Sequence, residues 1–152
     1  MLNNRIIKIH KRLLACLMVL TIVFSFTINS IAQNTTITTN GNAFTPDTIT
    51  CSVGNEINFN LGAGHNAEEV SQATYIVNGN TYNGGFSIGF GASGTFTPNL
   101  AQTYYYVCSP HVGSFAMKGV IIANIDGCMD ALACNYDPLA TIDDGSCYFI
   151  SN

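Results

Sequence analysis

The chain has 152 residues and carries nine acids against five lysines and arginines, with 9% of its residues charged and 47% hydrophobic. Four of those cations, Arg5, Lys8, Lys11 and Arg12, crowd the N-terminus, and only Lys118 lies beyond them. So little positive charge excludes a nucleic-acid binder, whose phosphate contacts demand lysine and arginine, and the length allows one compact domain with a small appendage.

The four N-terminal cations precede an apolar run from Leu13 to Phe26, after which Ser30 and Ala32 are small residues at the two positions a signal peptidase reads. Residues 1–32 are therefore expected to be a signal peptide cleaved after Ala32. An uncleaved membrane anchor is the alternative, but the run is shorter than the roughly 18 residues a span needs. Leu13-Leu14-Ala15-Cys16 has the look of a lipoprotein box, yet its hydrophobic segment follows the cysteine instead of preceding it. The mature chain, Gln33–Asn152, would keep one lysine against nine acids, a formal charge of −8. The expectation is an exported protein, in the periplasm, outside the cell or at its surface, with no membrane segment after cleavage. Its partner should be positively charged or only weakly steered, and its cysteines are free to pair.

From about Asn42 to Ile125 the chain reads as short strands punctuated by Gly, Asn and Pro. Ile49, Cys51 and Val53 alternate with polar residues, as do Ile57, Phe59 and Leu61, with Val53-Gly54-Asn55-Glu56 as the turn between them. Further strands are expected at 74–77, 86–90, 94–97, 103–108 and 117–125, and residues 78–85 read as loop. No segment sustains a helical period. The fold class is all-β, a Greek-key sandwich or barrel. Within Thr103–Cys108, alternation puts Tyr104, Tyr106 and Cys108 on one face and Tyr105 and Val107 on the other. The tyrosines are read as a half-buried strand with hydroxyls reaching the surface, in preference to a redox relay.

The residues richest in chemistry are Cys108-Ser109-Pro110-His111 and, six residues after that histidine, Met117. A thiolate, an imidazole and a thioether in one loop are copper donors: soft sulfur selects Cu(I), imidazole suits both oxidation states, and a His₂Cys site with a weak axial Met carries electrons. A second histidine must come from elsewhere in the chain. His10 lies in the expected leader, so His65 is the partner for His111.

Gly64-His65-Asn66, then Tyr105-Tyr106-Val107-Cys108-Ser109-Pro110-His111, then Met117-Lys118-Gly119-Val120-Ile121, resembles the plastocyanin/azurin family of small blue copper proteins, the cupredoxins, over roughly residues 38–125. The resemblance implies one mononuclear Cu(I)/Cu(II) held by His65, Cys108, His111 and Met117, with the first histidine at a separate strand end and the other three on the loop joining the last two strands. It implies a one-electron carrier, not an enzyme, working with a redox partner protein through an apolar patch around His111 to which Phe115 would belong. Asn66 matches the family asparagine that ties the two ligand segments together. Pro110 has no N–H to donate to the Cys108 sulfur, which leaves the thiolate electron-rich and the loop stiff. The five residues between His111 and Met117 make this loop longer than is usual in the family, which often has Gly before the Met. Where that extra length displaces Met117, the Gly64 carbonyl is the alternative axial donor.

Rival readings fit less well. A Cys/His nucleophile pair would need an oriented base, an oxyanion hole and a cleft, none of which is signalled. A multicopper oxidase needs many more histidines, and a binuclear copper centre needs a second cysteine in the loop. Copper buffering, or a surface interaction module with no redox role, remain as alternatives. Glu68 and Glu69 read as a solvated turn, with attraction of a cationic partner as the second choice.

After Ile125 the composition shifts to a Cys- and Asp-rich module, residues 126–152, resembling C-terminal modules of secreted and surface proteins in Bacteroidota-type bacteria. A segment so small needs cross-links in place of a core. With Cys108 assigned to copper, Cys51, Cys128, Cys134 and Cys147 allow three connectivities, and at least one bridge is expected within the module. Asp126, Asp130, Asp137, Asp143 and Asp144 invite Ca²⁺, but their spacing is not that of an EF-hand, and solvated turns are the preferred reading. The domain division expected is thus 1–32, 33–125 and 126–152.

Overall fold

A computed structural model describes residues 35–150. The expected leader, with His10 and Cys16, lies outside them. Two compact units divide the described chain, one ending at Asn124 and one beginning at Ile125.

The first unit is a β-sandwich. One sheet has the order β2-β1-β4-β7, formed by β1 (Thr35–Asn40), β2 (Ala43–Thr45), β4 (Ile57–Asn60) and β7 (Ser93–Phe96). The other has the order β3-β9-β8-β5-β6, formed by β3 (Thr48–Ser52), β5 (Ala67–Val70), β6 (Tyr82–Ile88), β8 (Thr103–Val107) and β9 (Lys118–Asn124). Alternating side chains meet between them: Ile37, Phe44, Ile57 and Phe59 from the first sheet, and Ile49, Tyr104, Tyr106, Ile121 and Ala123 from the second, are all buried in one cluster. Tyr106 sits at its centre, edge-on to Phe44 and Phe59 with ring centroids at 4.9 and 5.6 Å. Its neighbour across the β8/β9 ladder is Gly119, where a Cβ would collide with the Tyr106 ring and hydroxyl.

The sheets are mixed. β1 runs parallel to β4 and β3 parallel to β9, while the other pairs are antiparallel. The turn after Val53 therefore makes no hairpin. It passes the chain from one sheet to the other, with Val53 N–H bonded to Asn124 O and Gly54 N–H to Pro98 O.

Several expectations need correction. Residues 74–77 belong to a helical turn, α1 (Gln72–Ile76), instead of a strand. Ser71 caps it, its Oγ accepting from Thr74 N–H at 3.1 Å, and Asn78 at φ 54° closes it, with Gly79 N–H bonded to Thr74 O and Asn78 N–H to Tyr75 O. Caps at both ends override the β preference of Thr-Tyr-Ile-Val. Part of the expected 78–85 loop, from Tyr82, is drawn into β6 by pairing with β5. Glu68 and Glu69 lie in β5, not in a solvated turn. The Glu69 carboxylate accepts from Phe86 N–H and Asn83 Nδ2 at 3.1 Å each, beside the irregular register between β5 and β6.

In the second unit, β10 (Asp126–Gly127) pairs in parallel with β11 (Ile142–Asp143), and a Cys128–Cys147 disulfide spans 19 residues. Four of its aspartates serve as local acceptors: Asp130, Asp137, Asp143 and Asp144 bond the N–H groups of Leu132, Leu139, Gly145 and Ser146. These are turn-forming contacts two residues along the chain. No helix among the described residues is long and apolar enough to cross a membrane.

Candidate metal centre

Two connections at one end of the sandwich carry the candidate ligands. The first joins β4 to β5. Gly64 adopts φ +85°, a conformation that glycine reaches without a Cβ clash, and His65 follows with its N–H bonded to Gly62 O and its carbonyl accepting from Gly91 N–H. The second joins β8 to β9 and starts at Cys108, the inward-facing position that alternation along Thr103–Val107 demands.

This second loop folds back on itself. Cys108 O accepts from the N–H groups of His111 and Val112, a short helical turn α2 (Val112–Phe115) follows, and Ala116 at φ 52° reverses the chain. Cys108 N–H then bonds Met117 O at 3.0 Å, closing the loop at its base. The additional length between His111 and Met117 is taken up by α2 and the left-handed Ala116. Met117 still returns to the core, 1% exposed and in the same cluster as Cys108.

The side chains of His65, Cys108 and His111 converge, with their potential ligand atoms all within 4.8 Å of one another. Cys108 Sγ lies 3.7 Å from His65 Nδ1 and 3.2 Å from His111 Nδ1. The two imidazole rings are 4.7 Å apart and tilted by 48°. Donors sharing one ion at about 2.0 Å for nitrogen and about 2.3 Å for sulfur stand roughly 3–4 Å apart, so this separation fits a single ion. The donor chemistry fits as well. Cys108 is a free, fully buried thiol, and burial pushes its pKa up while the backbone amides of Asn66 and His111 pull it down. A thiolate in that apolar setting needs a cation beside it, and two imidazoles face it. Burial, and then the neighbouring His111, hold the His65 pKa below its usual value, which favours the neutral, ligating form.

Among the described residues Asn66 is the one buried polar or charged residue outside the hydrophobic types, and it joins the two connections. Its Oδ1 accepts from Ser109 N–H at 2.8 Å and from Ser109 Oγ at 3.2 Å, and its Nδ2 lies 2.9 Å from Ser109 Oγ. The outer edge of the site is half open. His111 is partly exposed, and Phe115, 58% exposed, packs beside it at 6.0 Å between centroids.

Features not foreseen from the sequence are the bracing contacts on the loop's other side. Asn80 Nδ2 donates to Ser109 O at 3.3 Å, and Val112 is buried with Val70 and Val107 against Tyr75 and Tyr105. Only the polarity of Asn78-Gly79-Asn80 hinted at a structured turn there. Among the described residues, His65, Cys108 and His111 form the one cluster of three metal-ligating side chains of the His, Cys, Asp and Glu types, so the aspartates of the second unit gather no comparable site.

The family model for copper binding proteins of the plastocyanin/azurin family matches residues 31–124. The chain belongs to that family, and copper is its cofactor. Among solved structures, a pseudoazurin from Sinorhizobium meliltoi is 23% identical, with a TM-score of 0.45 over 59% of this chain and 72% of that one. Amicyanin from Paracoccus versutus (Thiobacillus versutus) is 17% identical, with a TM-score of 0.44 over 66% of this chain and 87% of its own. Pseudoazurin from Methylobacterium extorquens AM1 is 19% identical, with a TM-score of 0.45 over 60% and 75%. No curated protein matches.

Proposed function

We propose that this chain is an exported, mononuclear type 1 copper protein that carries one electron between partner proteins. The observation carrying this reading is the convergence of the Cys108 thiol with the Nδ1 atoms of His65 and His111 in a chain of a copper-binding family. His65, Cys108 and His111 would hold the ion, and Met117 would supply the weak axial sulfur. When bound, copper supplies the Cu(I)/Cu(II) couple.

The rest of the work falls to the protein. Two cross-linked connections on a rigid sandwich keep the donors in nearly one arrangement for both charge states, so little movement accompanies electron arrival. Burial of Cys108 and Met117 excludes water from the sulfur side. His111 and the exposed Phe115 offer the short route and the apolar contact through which a redox partner would exchange the electron. With nine acids and one lysine after the expected leader, that partner is a protein with a neutral or basic docking face. Export rests on residues 1–32, and the division into a copper domain, 33–125, and a Cys/Asp-rich module, 126–152, completes the reading.

The test is spectroscopic. The oxidised protein loaded with copper should show the intense visible thiolate-to-copper band, and Cys108→Ser should abolish it. Rapid, reversible reduction and reoxidation would mark a carrier, whereas a blue protein that cycles sluggishly would be a copper buffer. A colourless wild-type protein would leave only an interaction module.

A further inference from the structure

Lys118 is the single lysine or arginine among the described residues, and it stands directly after Met117, where the ligand loop enters β9. Its ammonium turns to the segment Ser71–Asn80. Lys118 Nζ donates to Tyr75 O at 2.9 Å and to Asn78 Oδ1 at 2.7 Å, and lies 4.3 Å from the centre of the Tyr75 ring. Tyr75 O belongs to the last turn of α1, where it also accepts from Asn78 N–H and where a cation is favourable. Charge-assisted hydrogen bonds and a cation over an aromatic face act together on one short stretch of chain.

That stretch presses on the metal loop at two points. Asn80 donates to the carbonyl of Ser109, the residue between Cys108 and Pro110. Tyr75, in ring contact with Tyr105 at 5.0 Å, packs on the cluster that buries Val112, the residue after His111. The core holds the loop from inside through Cys108 and Met117, and the Ser71–Asn80 segment holds it from outside.

We propose that Lys118 is a positioning residue that locks the Ser71–Asn80 segment onto the Ser109–Val112 turn and thereby fixes His111. The consequence for copper rests on the ligand assignment given above; the mechanical role does not.

Three amides report on the turn: Val112, Phe115 and Ala116, whose N–H groups bond Cys108 O, His111 O and Val112 O. Lys118→Met keeps an apolar stem but removes the charge and the donors, and Lys118→Arg keeps both. Hydrogen exchange on the full chain, with and without copper, should be about tenfold faster at these amides in Lys118→Met, the size expected from losing charge-assisted bonds. Protection in β1 and β4 should stay as in wild type, which separates a loosened loop from a weakened fold. Copper release to a chelator should accelerate by a similar factor, and Lys118→Arg, which keeps the charge and the donors in a different geometry, should recover part of the loss in both readouts. Asn80→Ala, which leaves Lys118 in place, should loosen the same amides to a smaller extent and serves if Lys118→Met does not fold. Wild-type exchange at the three amides, or acceleration spread equally over β1 and β4, would overturn the proposal. Absence of the thiolate-to-copper band from wild type would overturn the copper reading instead, and exchange in the metal-free chain would still decide the role of Lys118.

Discussion

Asn66 and Ser109 grip each other at three atom pairs across 43 residues of sequence, with separations of 2.8, 2.9 and 3.2 Å. One side chain thus joins the connection carrying His65 to the loop carrying Cys108 and His111. Asn66 is 2% exposed, so its replacement cannot be compensated freely by water. Asn66→Ala should cost about 1–3 kcal/mol by leaving the Ser109 N–H unpaired. Denaturant unfolding checks the stability, and the thiolate-to-copper band of the loaded variant should shift or weaken as the two segments part.

Tyr106 and Gly119 make opposite predictions. The Tyr106 hydroxyl is buried with no hydrogen-bond partner, and its pKa is driven far up, first by burial and then by Asp47. Tyr106→Phe removes a polar atom that folding must desolvate and should raise stability by about 1 kcal/mol. Gly119→Ala puts a methyl into the same ring and should lower it by about 1–3 kcal/mol. Urea midpoints of the two variants should move in opposite directions.

Ala116 occupies the left-handed region at φ 52° and is exposed. That conformation costs an L-residue about 1–2 kcal/mol, against the roughly 0.5–1 kcal/mol of chain entropy a glycine would add. Ala116→Gly should therefore stabilise the protein by a few tenths to about 1 kcal/mol, measured by thermal or denaturant unfolding, without moving the visible band.

The metal-free chain should be most stable between the two reference values, 6.5 for His65 and 9.0 for Cys108. The folded state depresses the pKa of His65, by burial and then by His111, so protons bind the unfolded chain more readily and stability falls as pH drops below about 6.5. Cys108 is raised by burial, so its contribution is complete below about 9 and is lost as pH rises through the elevated folded value. Copper binding needs neutral imidazoles and a thiolate, so loading should release protons and weaken in acid. Unfolding curves of the metal-free chain across pH, and proton release on copper addition, check both signs.

Strand β8 was legible because a single alternation carries it: Tyr104, Tyr106 and Cys108 point inward as a period of two requires. The convergence of His65, Cys108 and His111 was legible for a related reason. Donor types so particular at Cys108, His111 and His65 constrain each other once a sheet brings residue 65 back. Strand β1, Thr35–Asn40, was not legible, since five of its six residues are Thr or Asn and only Ile37 faces the core. Strand β5 contains Glu68 and Glu69 and exists through its partners β6 and β8. Pairing across long separations leaves no local trace, and neither do the parallel pairs β1/β4 and β3/β9. The strand expected at 74–77 failed because Ser71 and Asn78 cap a helical turn there, and capping is read from positions outside the β-rich tetrapeptide.

The bond from Cys108 N–H to Met117 O, continued by the Val107–Lys118 pair, makes the ligand loop a closed handle whose two feet stand side by side on neighbouring strands. Insertions and deletions between those feet should leave the sheets' register untouched, so the character of the proposed centre would be open to rewriting by exchange of one short piece of chain. For a designer, residues 109–116 are a cassette: the scaffold supplies His65 and a fixed pair of anchor points, and the replacement decides the spacing, the outer contact and the tuning of whatever ion is bound.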